Sequence, residues 1–186
     1  RAMITIEAKN IEYAQTVLGN SPKTIKAAAA AAINRTVTTV KAKTSKNIRE
    51  NYTIKARDIK SNVSTKRASS SNLRGVISST GNANLITAFR VRPRKKGPVR
   101  VQVLKKGSLK PVPGLFVGRS LKGFVGAMQR IKRNARYPLR VPRGPSVPQM
   151  FGSKNVMAEL VPLAEDTLNK RFLHEIDYRF NKLGGK

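Results

Sequence analysis

The sequence predicts an α+β fold in which a long N-terminal helix and a C-terminal helix pack on an antiparallel β-sheet or small barrel. Three observations carry that prediction. Apolar residues recur at helical spacing from Ile25 to Ile48, the period changes to two beyond Asn72, and a helical stripe returns after a proline- and glycine-rich stretch that ends near Gly152. A chain of 186 residues with 39% apolar content is expected to form one domain, residues 1–186, whose core rests on Ile, Val, Leu and Ala because it holds four Tyr, six Phe and no Trp. The content is too apolar for a wholly disordered polyelectrolyte.

In chain order, Ile4 to Ala8 alternates apolar and polar residues and reads as a short strand. Asn10 is placed to cap a short helix over Ile11 to Leu18, stopped by Gly19. Ser21 as N-cap and Pro22 at the first helical position then open the long helix, residues 21–50. Its buried stripe is expected at Ile25, Ala29, Ile33, Val37, Val40 and Ile48, and the run Ala27 to Ala32 combines high helix propensity with side chains small enough for another backbone to come close. Asn51 and Tyr52 break the pattern, Lys55 to Asn62 suggests one or two helical turns, and Ser69 to Asn72 is a polar linker.

Residues 73–130 form the expected β-rich basic core. Strands are predicted around Leu73 to Ile77, Ile86 to Val91, Val99 to Val103, Leu115 to Val117 and Phe124 to Met128, with turns at Gly97-Pro98 and Lys105-Lys106-Gly107. Residues 137–152 carry Pro138, Pro142, Gly144, Pro145, Pro148 and Gly152 and predict an extended connector without helix. Ser153 then caps the C-terminal helix, residues 153–183, with an apolar stripe of Val156, Leu160, Leu163, Leu168, Phe172, Ile176, Phe180 and Leu183. Pro162 implies either a kink or a helix that restarts near Val161. Asp166–Lys170 and Glu175–Arg179 are favourably oriented i,i+4 pairs.

Several function classes are excluded or disfavoured. The absence of cysteine removes disulfides, thiolate metal sites and cysteine nucleophiles. No run of about 18 apolar residues exists, so no membrane span and no membrane partner are expected. The start lacks the apolar region of a signal peptide, and Arg1-Ala2 ahead of Met3 reads as an added leader. Action in the cytoplasm of the producing cell, or in something assembled there, is the expectation. The single histidine, His174, falls mid-helix beside Glu175 and reads as a solvated residue rather than an acid–base group; the nine acids read mostly as solvated helix faces and ion pairs. No phosphate-loop, dinucleotide, zinc-protease or nucleophile-elbow motif occurs. Gly118-Arg119-Ser120 to Gly123 reads as a sheet turn ahead of a phosphate cradle. An enzyme is not expected, and neither are catalytic residues, a metal or a cofactor.

The charge is the strongest functional signal. The formal net charge is +29, and between Asp58 and Glu159 the chain holds 22 Lys or Arg and no carboxylate, whereas both ends mix signs. Self-repulsion on this scale predicts a salt-sensitive fold. A charge run is ordinarily a solvated face, but a solubilising surface intersperses both signs, and this one does not. The candidate polyanion-binding residues are Arg90, Arg92, Arg94, Lys95, Lys96, Arg100, Lys105 and Lys106, followed by Arg130, Lys132, Arg133, Arg136, Arg140 and Arg143. On a strand, Arg90, Arg92 and Arg94 share a face. Aromatics are not interleaved as a single-strand stacking platform requires, and no base-reading motif is present, so contact is expected with phosphate rather than with bases. If roughly six to ten phosphates were neutralised, affinity would fall about 10³–10⁵-fold between 50 and 200 mM salt. A free-standing basic nucleic-acid-binding protein is the alternative that the same charge permits.

Three stretches resemble the prophage minor tail protein Z (phage tail completion) family. They are Ala30-Ala31-Ala32-Ile33-Asn34-Arg35-Thr36 leading to Tyr52-Thr53-Ile54, then Pro113-Gly114-Leu115-Phe116-Val117, and Leu139 followed by Gly144-Pro145-Ser146-Val147-Pro148-Gln149-Met150. The resemblance spans roughly residues 20 to 180. It implies a virion structural protein that finishes the tail of long-tailed phages at the head-proximal end, assembled in the bacterial host cytoplasm. It implies contacts with other tail or neck proteins, a homo-oligomeric ring or contact with one, and no catalytic residues. Non-specific DNA contact is the accompanying expectation from the charge.

Overall fold

The elements follow in the order β1 (Ala2–Glu7), α1 (Pro22–Asn51), α2 (Ala56–Lys60), β2 (Val63–Lys66), β3 (Arg74–Ser79), β4 (Ala83–Leu85), β5 (Arg90–Arg92), β6 (Arg100–Gln102), β7 (Lys110–Pro111), β8 (Leu115–Arg119), β9 (Val125–Arg130), β10 (Leu139–Arg140), β11 (Arg143–Ser146), α3 (Val147–Phe151) and α4 (Lys154–Lys182). The computed structural model describes residues 2–7, 16, 22–93, 98–119, 123–132 and 135–182. The helix expected over Ile11 to Leu18 and the Ser21 cap lie outside the described residues, Thr16 excepted.

The α+β class holds, with the strands distributed among the described residues over four small antiparallel sheets rather than one: β1-β3-β2, β5-β6-β7, β8-β9-β10 and β4-β11. The six expected stripe residues of α1, from Ile25 to Ile48, are all buried. α1 and α4 run antiparallel along each other. Ile25, Ala29 and Ala32 meet Phe172 and Ile176 at one end, and the Asn47 amide donates to the Glu159 carboxylate at the other. The alanine run permits this approach: Ala28, Ala29 and Ala32 have no exposed surface. Buried Thr36 and Thr44 satisfy their hydroxyls on the carbonyls one turn back, at 2.8 and 2.7 Å.

The other face of α1 receives β3. The two meet so closely that a Cβ on Gly75 would lie 2.6 Å from the Cγ2 atoms of both Ile33 and Val37. Both neighbours are β-branched and stiff at χ1, so neither yields easily. Gly75→Ala is therefore expected to destabilise the protein by about 1–3 kcal/mol through overpacking, read as a lower urea midpoint at unchanged slope.

Two sequence expectations are corrected and two are sharpened. Ile86 to Val91 is not one strand. Ile86–Ala88 is a 3₁₀ turn, closed by the Phe89 N–H donating to the Ile86 carbonyl at 3.2 Å, and both Ile86 and Phe89 turn inward, a spacing of three that a pleat cannot give. The connector over 137–152 holds two short strands and the helix α3. Pro148 is compatible with that helix because it sits in the first turn, where its missing N–H has no partner to lose. Of the two outcomes expected at Pro162, a restart near Val161 is not seen: α4 is continuous from Lys154 to Lys182 with Pro162 inside it. A proline there costs about 3 kcal/mol, and packing of α4 along α1 offsets it. Finally, the expected Glu175–Arg179 pair is present, and Arg35 joins it. The Glu175 carboxylate is buried between Arg35 at 3.1 Å and Arg179 one turn on, so the ion pair fastens α4 to α1.

α3 occupies the centre. Val147, Pro148, Met150 and Phe151 are buried, and the helix touches α1, α4, β1, β3 and β11. Its start is a capping box: the Gln149 N–H donates to Ser146 Oγ at 3.3 Å, and the Ser146 N–H donates to Gln149 Oε1 at 2.8 Å.

Candidate polyanion-binding face

Ten of the fourteen candidate cations are described, and all ten side chains are exposed; Arg94, Lys95, Lys96 and Arg133 lie outside the described residues. They do not form one row. Arg90, Arg92, Arg100, Lys105 and Lys106 belong to β5–β6 and the turn that follows it. In the β5–β6 ladder Arg92 stands directly opposite Arg100, and Arg90 opposite Gln102, so three arginines share one face as the pleat predicts. Two like charges in register oppose strand pairing, and among the described residues no carboxylate pairs with either. The remaining cations gather around β8–β10. Arg130 pairs with Leu139 and Arg140 with Gln129, which puts Arg130 and Arg140 on opposite faces of that sheet. Lys132 and Arg136 lie in the β9–β10 connection, and Arg143 opens β11.

The cations of the frame and those of the middle are held differently. In the frame, arginines and lysines find carboxylates: Arg74–Glu7 at 2.8 Å, Lys170–Asp166 at 2.8 Å and Lys46–Glu50 at 4.0 Å, besides the Glu175 pairs. In the middle, they find neutral acceptors. Arg90 donates to Gln102 Oε1 at 3.2 Å, Arg140 donates twice to Gln129 Oε1 at 3.0 and 2.8 Å, and Arg143 donates to the Ala83 carbonyl at 2.9 Å. Each glutamine is fixed by its own amide nitrogen. Gln102 donates to the Gly107 carbonyl at 2.7 Å and Gln129 to the Pro113 carbonyl at 2.9 Å. A guanidinium has five N–H donors and cannot lose its proton, so an amide orients it without neutralising it.

Aromatic rings add to this. Arg130 lies over Phe116, 5.8 Å from the ring centroid, and Arg136 over Tyr137 at 5.9 Å. Gly114, at φ 70°, turns the chain into β8 in a conformation that a side chain disfavours. Of the turn expected over Gly118 to Gly123, Gly118 and Arg119 belong to β8, and residues 120–122 lie outside the described residues.

Gln102, Gln129 and Arg49 escaped sequence reasoning. The glutamines carry no charge to draw attention. Arg49 reads as an ordinary last-turn cation of α1 and is far in sequence from the basic middle.

His174 is exposed on α4. Among the described residues no group of three or more His, Cys, Asp or Glu is placed to hold a metal, and no buried side-chain nitrogen or oxygen lacks a partner. No described helix is long and apolar enough to cross a membrane.

Fold and face together describe an α+β protein that presents oriented, unneutralised cations from a carboxylate-paired helical frame. The family model of prophage minor tail protein Z (GPZ) matches residues 9–183, nearly the whole chain, and the protein belongs to that family. It is thus a phage minor tail protein, with the virion as its setting and other tail proteins as its partners. No curated protein and no solved structure matches the chain.

Proposed function

We propose that this minor tail protein completes the tail at its head-proximal end, as a non-enzymatic single domain. It is assembled in the host cytoplasm, joined to tail or neck proteins and to copies of itself in a ring, with its cationic middle turned towards DNA. The observation that carries this reading is the way the middle arginines are held. Glutamine amides and backbone carbonyls orient them and leave their charge unspent. A scaffold selected only for solubility has no reason to exclude carboxylates from that region. The protein contacts have their own surface. Val117 and Val125 are exposed on one face of the β8–β9 ladder as diagonal neighbours, with exposed Ile131 beyond them.

Two measurements test the reading. Tails made without the protein are expected to be incomplete and non-infectious under electron microscopy and plaque assay; normal infectious tails would refute the completion role. Charge reversal of Arg92, Arg94 and Lys95 to Glu is expected to leave the protein folded and to abolish DNA passage. Unchanged assembly and passage in that variant would remove DNA contact.

A further inference from the structure

We propose that a cleft between the C-terminal end of α1 and the β5–β6 sheet is a binding site for a backbone phosphate of DNA, formed by Arg49, Arg90 and Lys105. The proposal rests on the reading that the cationic middle faces DNA, and it adds a specific site and a residue that lies outside that middle.

Arg49 comes from the last turn of α1, Arg90 from the start of β5 and Lys105 from the turn after β6, and the three line one cleft of about 510 Å³. All three side chains are exposed, and among the described residues no carboxylate lines the cleft. The nearest carboxylate in sequence, Glu50, is engaged by Lys46 one turn back.

The cleft is built rather than incidental. Thr53 forms its floor. Its hydroxyl donates to the Gln102 carbonyl and accepts the Arg90 N–H at 3.2 Å, so one side chain ties β5 to β6. The Thr53 N–H donates to the Val103 carbonyl at 2.9 Å, and the Lys105 N–H donates to the Asn51 carbonyl at 2.9 Å, joining the end of α1 to the same sheet. Gln102 donates to the Lys105 and Gly107 carbonyls at 3.2 and 2.7 Å and so fixes the turn that carries Lys105, while its oxygen orients Arg90.

The ordinary explanation of cations at a helix C-terminus is that they complement its dipole and exposed carbonyls. Here the Ile48 and Asn51 carbonyls at that terminus are already taken by backbone N–H groups, and among the described residues no carboxylate pairs with Arg49 or Lys105. An oxyanion with several acceptors suits three convergent cations. A phosphodiester is favoured over an acidic protein surface because three cations line so small a cleft, whose apolar lining is limited to Tyr52 and the buried Ile54, whereas a protein interface centres on a broader apolar contact.

The test measures binding of the full chain to a short fluorescein-labelled duplex by anisotropy across a salt series. Each phosphate contact contributes about 0.9 to the slope of log affinity against log salt, which is about eightfold at 0.1 M salt. Arg49→Gln with Lys105→Gln is therefore expected to lower the slope by about 1.8 and to weaken binding about 60-fold. Lys41→Gln with Lys43→Gln removes the same charge from exposed positions of α1 and is expected to change the slope far less. Equal losses in the two double variants would overturn the cleft while leaving general DNA contact intact. Saturable binding of inorganic phosphate at constant ionic strength, without a slope change on the duplex, would overturn the phosphodiester assignment. A parent protein that ignores the duplex, or binds polyglutamate as tightly, would overturn the DNA reading itself. Equal melting temperatures of parent and variants exclude misfolding as the cause.

Discussion

Replacing Phe151 by alanine is expected to lower stability by about 3–5 kcal/mol, the largest single-site loss anticipated in this protein. Phe151 has no exposed surface. It ends α3, a helix too short to persist alone, which lies against α1, α4, β1, β3 and β11. The ring therefore fills space where both long helices and two of the sheets converge, and no single neighbour can collapse into the void. Against a total of about 5–15 kcal/mol the loss is severe. At about 2–4 °C per kcal/mol for a chain of this size, the melting temperature should fall by about 6–20 °C. Urea unfolding followed by circular dichroism checks the free energy, provided ionic strength is fixed, because a chain of net charge +29 is stabilised by screening. Ser146→Ala, which removes only the cap of the same helix, should cost about 1 kcal/mol. A Phe151 loss no larger than the Ser146 loss would show that α3 is not the packing centre.

That contrast bears on what the family stretches do. Gly144 to Met150 reads from sequence as a distinctive connector, but it is the capped helix at the core, entered by a strand whose Gly144 leaves room for the Phe89 ring 2.6 Å from where a Cβ would stand. Ile33 is core. Asn34 clamps the loop after β2 through paired hydrogen bonds with Ala68 at 2.9 and 2.8 Å, and Arg35 holds Glu175. Thr53 ties β5 to β6. The recognisable stretches thus specify packing and local geometry, while the cations lie mostly between them.

The long helices were legible because each presents an apolar stripe whose period no strand shares, although the stripe of α4 is buried only as far as Ile176: Phe180 is exposed, and Leu183 lies outside the described residues. The sheets were less legible. Strands of two to six residues give little periodicity, and β7 and β10 have only two residues each. α3 was hidden by its prolines, although Ser146-Val147-Pro148-Gln149 carries the capping-box spacing that predicts a helix start. The burial of Glu175 depends on Arg35 arriving from another helix, a long-range fact with no local trace. For the candidate site, the exposed cations could be read from charge alone. Their distribution over separate sheets, the inclusion of Arg49 and the glutamine supports required the three-dimensional pairing.

Gln102→Glu combined with Gln129→Glu is expected to weaken binding to duplex DNA about 60-fold at 0.1 M salt without removing any cation. The figure follows from two neutralised contacts at about eightfold each. Each substitution keeps the acceptor that orients Arg90 or Arg140 but gives it a charge, which recreates the carboxylate pairing seen in the frame. Each also loses its amide donors, from Gln102 to the Lys105 and Gly107 carbonyls and from Gln129 to the Pro113 carbonyl, at a cost of about 1 kcal/mol of stability per hydrogen bond. A companion variant separates the two effects. Gln102→Met with Gln129→Met loses the same donors and leaves both arginines fully charged, so it should melt at a similarly reduced temperature and bind DNA much more tightly than the glutamate pair. The measurements are anisotropy across a salt series and thermal unfolding of the same samples. Equal binding by the glutamate and methionine variants would mean that the glutamines serve only to hold the turns. A loss confined to the glutamate pair would show that the neutrality of these side chains keeps the arginines charged, which is the property a surface facing a polyanion requires.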